Sequence, residues 1–481
     1  MATQMVKPAD HKLLVAGEWS DGVGWQEVES PYDGTVVGRV AQGDASTAVR
    51  AIEAAHHAFE TADFPQHERA AVLDRAAALV GERIDDLART IAAEAGKPLK
   101  AATVEANRCV DTLTFSAVEA RKLTGGTVPM AASTGGVGKL GVMLRVPYGV
   151  VGAISPFNFP LNLVAHKLGP AIAAGNAVVL KPAGQTPITA LKLAEILGEA
   201  GLPEGWLNVV PGSGSEVGNT IVEHDLVGAI TFTGSAPVGW GIRSKAAQKK
   251  VNLELGSNAP LIVAEDGDWE AAADKTQIHA FAYAGQVCIS IQRILLHAAI
   301  ADRFVARLVK NIEGLVVGDP LDPDTDVGPL ITSDDRDRVK SWIDEAVAAG
   351  AELLVGGELV DEGRCVAPTL LRGAPKDAKV WCEEVFGPVA TIDTFEDFAE
   401  GLEMANDSRF GLQAGVFTAD LGRALEAART LEFGGIMVNE VPAFRADQMP
   451  YGGVKDSGNT REGPAFAVQE LTEERFVTFQ G

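Results

Sequence analysis

Cys288 has the setting best suited to covalent chemistry in this chain. It lies in the run Ala284-Gly285-Gln286-Val287-Cys288-Ile289-Ser290, where a Gly-containing turn follows an apolar helical pattern. A thiolate there would attack an electrophilic carbon; the bland alternative is an inert buried thiol, the usual state of a free cysteine. Cys109 falls in a helical apolar stripe, and Cys365 and Cys382 fall near expected surface connections, so none shares that neighbourhood. Glu254 stands between two leucines at an expected strand end, in Leu253-Glu254-Leu255-Gly256-Ser257. Desolvation there would raise its pKa and suit it to general-base work; otherwise it is the solvent-facing member of an alternating strand. Asn158 sits in Ser155-Pro156-Phe157-Asn158-Phe159-Pro160, where prolines confine the backbone. Its amide is either a preorganised oxyanion donor or the cap of the next helix, with Pro160 at the first helical position.

Other segments suit an anionic ligand. Phe232-Thr233-Gly234-Ser235 ends a strand and opens a helix, which leaves N–H groups free for a pyrophosphate. The glycines of Pro211–Gly218 follow another strand, without G-x-G-x-x-G spacing; both clusters also read as plain turns. Lys181 closes a strand where its ammonium would reach ribose hydroxyls. The eight histidines show no paired ligand spacing, so no metal is expected.

Such residues need a scaffold that brings strand ends together. Apolar runs at Val150–Ser155, Ala177–Lys181, Trp206–Val210, Ala229–Thr233 and Val251–Leu255 recur every 22 to 29 residues. Helical patterns, such as Thr186–Ala200 and Ser235–Ala247, lie between them. That alternation predicts βαβ units and a parallel sheet, with ligands at the carboxyl ends of the strands. Upstream, Asp44–Leu123 reads as three helices, and Gly125–Tyr148 as strand pairs. Downstream, a second α/β region has strand candidates at Arg293–His297, Ala414–Thr418 and Gly435–Asn439, and Gln469–Phe479 reads as an edge strand.

Composition narrows the function classes. Of the 481 residues, 46% are hydrophobic and 22% charged, within the range of soluble globular chains. The net charge of -24 argues against nucleic acid or an anionic membrane surface as partner. Four dispersed cysteines suggest free thiols in a reducing compartment. With no apolar leader in the first twelve residues, the expected location is cytoplasmic. The uncharged stretch Val146–Ala165 is broken by three prolines, which speaks against a membrane helix.

Seven segments occur in the order found in the aldehyde dehydrogenase superfamily, which the chain resembles over nearly its whole length. They are P-F-N-F-P (156–160), K-P-A (181–183), F-T-G-S (232–235), L-E-L-G (253–256), G-Q-V-C (285–288), E-E-V-F-G-P (383–388) and P-Y-G-G-V-K-D-S-G (450–458). The resemblance implies an α/β fold with two Rossmann-like domains and a small β oligomerisation region. It places NAD(P) binding in 1–124 and 148–256, catalysis in 257–456 and oligomerisation in 125–147 and 467–481. A homodimer or homotetramer is implied. Cys288 would be the nucleophile, Glu254 the base and Asn158 the oxyanion donor, so that an aldehyde becomes a carboxylic acid through a thiohemiacetal and a thioester. Lys181 would hold the adenosine ribose, Gly234 and Ser235 the pyrophosphate and Glu384 the nicotinamide ribose, with Phe386 beside the ring. Phe157 replaces the family's frequent Trp. Gly184 stands where NAD-preferring relatives often carry Glu, so dual use of NADP and NAD with a lean to NADP is expected. Substrate-pocket candidates are Arg108, Phe159, His166, Ile289, Arg445 and Tyr451. The 444–451 segment resembles relatives acting on small hydroxy- or anion-bearing aldehydes. A coenzyme A-acylating semialdehyde dehydrogenase and a non-catalytic protein on the same scaffold are the alternatives.

Overall fold

The computed structural model describes residues 7–481. The five apolar runs form one parallel sheet from strands Val150–Ile154, Ala177–Lys181, Leu207–Val209, Val227–Thr233 and Lys250–Glu254. Across the sheet they lie in the order 250–254, 227–233, 150–154, 177–181, 207–209. The first three in the chain are buried along their whole length, as continuous apolar strands covered on both faces must be. Chain order reverses between Val150–Ile154 and Val227–Thr233. That switch point opens a crevice at their carboxyl ends, just where Ser155–Phe157 and Gly234–Ser235 emerge. Two short amino-terminal strands, Leu13–Val15 and Glu18–Ser20, extend the sheet antiparallel, a pairing too brief to show in the hydrophobic pattern.

The second sheet holds seven strands, in the order 352–355, 369–372, 389–395, 291–297, 259–263, 413–417, 435–438. All its pairings are parallel except that of the outer strand Glu352–Val355. Separate apolar cores form around the two sheets. The chain passes between them through only Leu255–Asn258, since Lys250–Glu254 ends the first sheet and Ala259–Val263 begins the second. Strands Gly126–Val128, Lys139–Pro147 and Thr472–Gln480 make a third, antiparallel sheet, paired from Thr472↔Pro147 to Gln480↔Lys139.

Two expectations need correction. The region read as three helices contains four: Ala45–Thr61, Gln66–Glu82, Ile84–Ala95 and Leu99–Lys122. A single apolar stripe spans the middle pair, but Arg83 leaves helical geometry (φ -115, ψ 17) and turns the chain. Asn158 does not cap the next helix, which begins at Asn162 and so leaves Pro160 outside it. Glu105, from helix Leu99–Lys122, does that work instead. Its Oε1 accepts from the Leu161 and Asn162 N–H groups at 2.9 and 3.1 Å, where a negative charge complements the helix dipole. The other carboxylate oxygen accepts from Lys97, and both side chains are almost completely buried.

Removing one partner of a buried ion pair strands the other in a low-dielectric interior. Glu105→Ala should therefore lower unfolding free energy by about 3–5 kcal/mol. Denaturant titration checks this; a loss under about 1 kcal/mol would mean that Lys97 finds another partner.

Candidate active site

The loop that delivers Cys288 is strained. Tyr283, Ala284 and Gly285 carry φ values of 51, 52 and 70°, three consecutive residues in left-handed geometry. The Tyr283 hydroxyl anchors the strained turn by donating to the Ala95 carbonyl at 2.8 Å. A Cβ on Gly285 would fall 2.0 Å from the Gly387 carbonyl oxygen, so only glycine lets this loop meet the 383–388 segment. Gln286 pins the far side, its Oε1 accepting from the Ile331 N–H at 2.9 Å. The Asn158 amide donates to the Gln286 carbonyl at 2.8 Å, which leaves its second N–H without a protein acceptor among the described residues; Asn158 and Glu254 are not among the residues lining the Cys288 cavity.

Cys288 opens into a cavity of about 580 Å³. Burial pushes its thiol up to about 12, partly offset by the Tyr451 hydroxyl and the Arg445 charge. Tyr451 Oη lies 2.7 Å from Sγ, and the Arg445 guanidinium covers the tyrosine ring at 3.8 Å. Glu254 is buried at its strand end and both carboxylate oxygens lack a hydrogen-bond partner, which excludes the solvent-facing alternative. Burial and then the neighbouring Glu462 charge hold the Glu254 carboxyl well above the usual range. Burial also opposes ionisation of Glu462, but Arg445 and Lys167 outweigh it and keep that group charged. Cys109, Cys365 and Cys382 lie outside the cavity lining.

Of the expected pocket residues, Arg108, Phe159, Ile289, Arg445 and Tyr451 line this cavity. His166 does not. It stands behind the wall, its Nε2 3.0 Å from Asp447 Oδ1, and Asp447 also receives Arg108 through Nε and Nη2 at 3.1 and 2.8 Å. Sequence reasoning missed Lys97, whose ammonium sits 3.6 Å from the Phe159 ring centroid and 4.6 Å from that of Tyr283. It also missed Lys167 and Glu462 behind Glu254. Each comes from a helix or loop remote in the chain, and no local motif marks it.

The carboxyl ends of the first sheet's strands carry groups that could hold a dinucleotide. Ser235 precedes helix Ala236–Lys245 with no side-chain cap, leaving its first N–H groups available. Lys181 is buried, has no carboxylate partner among the described residues and donates to the Pro182 carbonyl at 3.1 Å. Glu384 accepts from the Ser257 N–H at 2.9 Å, and burial raises its pKa to about 7. A Cβ on Gly256 would lie 2.1 Å from its Oε2, so the glycine makes room for that carboxylate. Phe157 and Phe386 meet edge to face at 5.8 Å. Gly184 faces open space, with nothing within 4 Å of a Cβ position. No group of three or more potential ligands among the described residues is arranged to hold a metal, and no described helix is long and apolar enough to cross a membrane.

Comparison with known proteins places the chain among the oxidoreductases that act on aldehydes. The chain belongs to the aldehyde dehydrogenase family, whose model matches residues 19–477, and it acts on aldehydes with NAD or NADP. It is 45% identical over 475 residues to the 3-sulfolactaldehyde dehydrogenase of Priestia aryabhattai, covering 99% of each chain. The crystal structure of aldehyde dehydrogenase 21 from Physcomitrella patens with its product succinate superposes at a TM-score of 0.95, with 37% identity and 99% of each chain covered. A glyceraldehyde-3-phosphate dehydrogenase from Methanocaldococcus jannaschii, solved with NADP, superposes at 0.90 with 37% identity over 95% of this chain and 99% of that one.

Tyr451→Phe removes the hydroxyl beside the thiol, so the thiol pKa should rise further. Iodoacetamide labelling of Cys288 at pH 8 should slow about three- to tenfold, the worth of one hydrogen bond, and recover at higher pH. An unchanged pH profile would show that the phenol does not support the thiolate.

Proposed function

We propose that this enzyme oxidises small aldehydes carrying a sulfonate or carboxylate a few atoms from the carbonyl. One observation carries the reading: Lys97, Lys100, Arg108 and Arg445 line the Cys288 cavity against a single carboxylate, Asp326. The other acids that pair these cations, Glu105, Asp447 and Glu462, stand behind the wall and are not among the lining residues. With Nε and Nη2 on Asp447, Arg108 keeps Nη1 for a ligand, and Arg445 buries an Nε that has no partner. Sulfolactaldehyde, succinate and glyceraldehyde 3-phosphate, named for three of the relatives, are anionic, whereas the lactaldehyde named for others is neutral.

In this reading Cys288 thiolate attacks the aldehyde carbon and the oxyanion meets the free Asn158 N–H and the Cys288 backbone N–H. Lys181 would hold the adenosine ribose, the helix start at Gly234 and Ser235 the pyrophosphate and Glu384 the nicotinamide ribose, with Phe157 and Phe386 flanking the crevice. When bound, the nicotinamide supplies the hydride acceptor. Glu254 then takes a proton from water, which hydrolyses the Cys288 thioester. A buried carboxylate with both oxygens free supports release to water rather than to coenzyme A. Exposed Leu140, Phe476 and Phe479 on the third sheet support its use as a contact between copies, in a dimer or tetramer in the cytoplasm.

For the cofactor, the open position at Gly184 and the unpaired Lys181 favour dual use with a lean to NADP. An added carboxylate would repel the 2′-phosphate, so Gly184→Glu should raise the NAD/NADP ratio of kcat/KM about tenfold or more. An unchanged ratio would place residue 184 away from the ribose.

The base and the anion subsite have separate tests. Glu254→Gln should release about one reduced cofactor per site in a burst and then stall at the thioester; wild-type steady-state turnover would reassign water activation. Arg108→Gln should raise KM for succinic semialdehyde about ten- to a hundredfold, the worth of a charged hydrogen bond, while leaving neutral lactaldehyde nearly unchanged. Wild-type enzyme that prefers hexanal to every anionic aldehyde in a kcat/KM panel would overturn the substrate class.

A further inference from the structure

A second cavity, also about 580 Å³, lies away from Cys288. Helix Gln66–Glu82, the carboxyl end of helix Asn162–Ala174 and strand Lys139–Pro147 contribute to its wall. Arg69 and Arg145 line it and no aspartate or glutamate does, in a chain with 65 acidic residues against 41 basic ones. Arg145 is taken by Glu474 at 2.8 Å. Arg69 is taken by nothing. The residue is only 9% exposed, its side chain has no ion-pair or hydrogen-bond partner among the described residues, and its Nε is sealed from solvent. Burial draws its pKa down to about 10 with no carboxylate opposing the shift.

The position of the guanidinium is built into the backbone. Gly175 ends helix Asn162–Ala174 at φ 91°, and a Cβ there would lie 2.2 Å from Arg69 Nη1. The partial negative charge of that helix end faces the arginine, but it amounts to about half a charge and leaves the cation undercompensated. On the same wall, Trp206 meets Phe64 edge to face at 4.9 Å. Phe59, Phe64 and Leu144 supply apolar surface.

We propose that this cavity binds a carboxylate with an apolar body, its head on Arg69 and its body against Phe59, Phe64 and Leu144. A planar guanidinium fork matches a carboxylate in shape, and one unpaired cation balances one negative charge. The apolar wall favours an alkyl or aryl acid over inorganic phosphate.

The test is calorimetric titration of the full-length enzyme with octanoate and, separately, with inorganic phosphate. Octanoate should bind at least tenfold more tightly than phosphate. Arg69→Leu should weaken octanoate tenfold or more and leave aldehyde turnover in place, whereas Arg108→Gln in the catalytic cavity should leave octanoate affinity unchanged. Equal binding of the two anions, unchanged affinity in Arg69→Leu, or a loss that follows Arg108 would each overturn the proposal. So would a shift of Arg69→Leu to a smaller sedimenting species with octanoate affinity retained, since that would assign the cavity to a second copy of the chain. If Arg69→Leu does not fold, Leu144→Trp fills the cavity from its rim. It should abolish octanoate binding, and full binding in that variant would equally overturn the site.

Discussion

Everything at the active site depends on four buried residues, Leu255–Asn258, which join the two sheets. Leu255 N–H donates to the Ser457 carbonyl, and the Ser457 hydroxyl donates back to the Gly256 carbonyl at 2.7 Å. Ser257 N–H is held by Glu384, and the Asn258 amide donates to the Trp381 and Glu383 carbonyls at 2.7 and 3.0 Å. A buried link must satisfy its backbone groups, and here one of the satisfying partners, Glu384, is itself a candidate site residue. Glu254 ends the strand on one side, and Glu384 lies on Gly256. A displacement of one sheet against the other would therefore move the Glu254 and Glu384 carboxylates together.

Parts of this arrangement were legible in the sequence because the physics is local. A parallel strand buried on both faces needs a short continuous apolar run, so the five strands between Val150 and Glu254 stood out. Cys288, Glu254 and Asn158 were marked by glycine, leucine or proline beside a reactive group. Strands Thr369–Arg372 and Val389–Phe395 escaped notice because polar residues interrupt their patterns; Thr391 is fully buried only because its hydroxyl reaches the Gln292 carbonyl. The count of three helices failed at Arg83, because Gly81 two residues earlier is a weak break that the continuous apolar stripe overrides in the pattern. The remote partners Glu105, Lys167 and Glu462 were invisible for a different reason. Their importance lies in which charge they meet across the fold, and spacing along the chain carries no record of it.

Charge is layered around the catalytic cavity. Lys97, Lys100, Arg108 and Arg445 stand in its largely apolar lining together with Asp326, and Glu105, Asp447 and Glu462 stand behind it. The carboxylates hold the cations in place: Glu105 fixes Lys97 under two aromatic rings, and Glu462 fixes Arg445 over the Tyr451 ring. Burial alone would raise the Asp447 carboxyl, but His166 and Arg108 together keep it well below the ordinary range. Arg108 therefore remains one half of a stable pair while one edge stays free.

This layering also shapes how an anionic substrate would reach the site. The molecule as a whole carries a charge of -24, so at a distance it repels such a substrate. Attraction begins only within about one Debye length of the inner cations, roughly 8 Å at physiological ionic strength. Added salt thus works in opposite directions along the approach. It screens the outer repulsion and quickens encounter, then screens the inner attraction and hastens departure. Encounter and residence are governed by different parts of the same charge distribution.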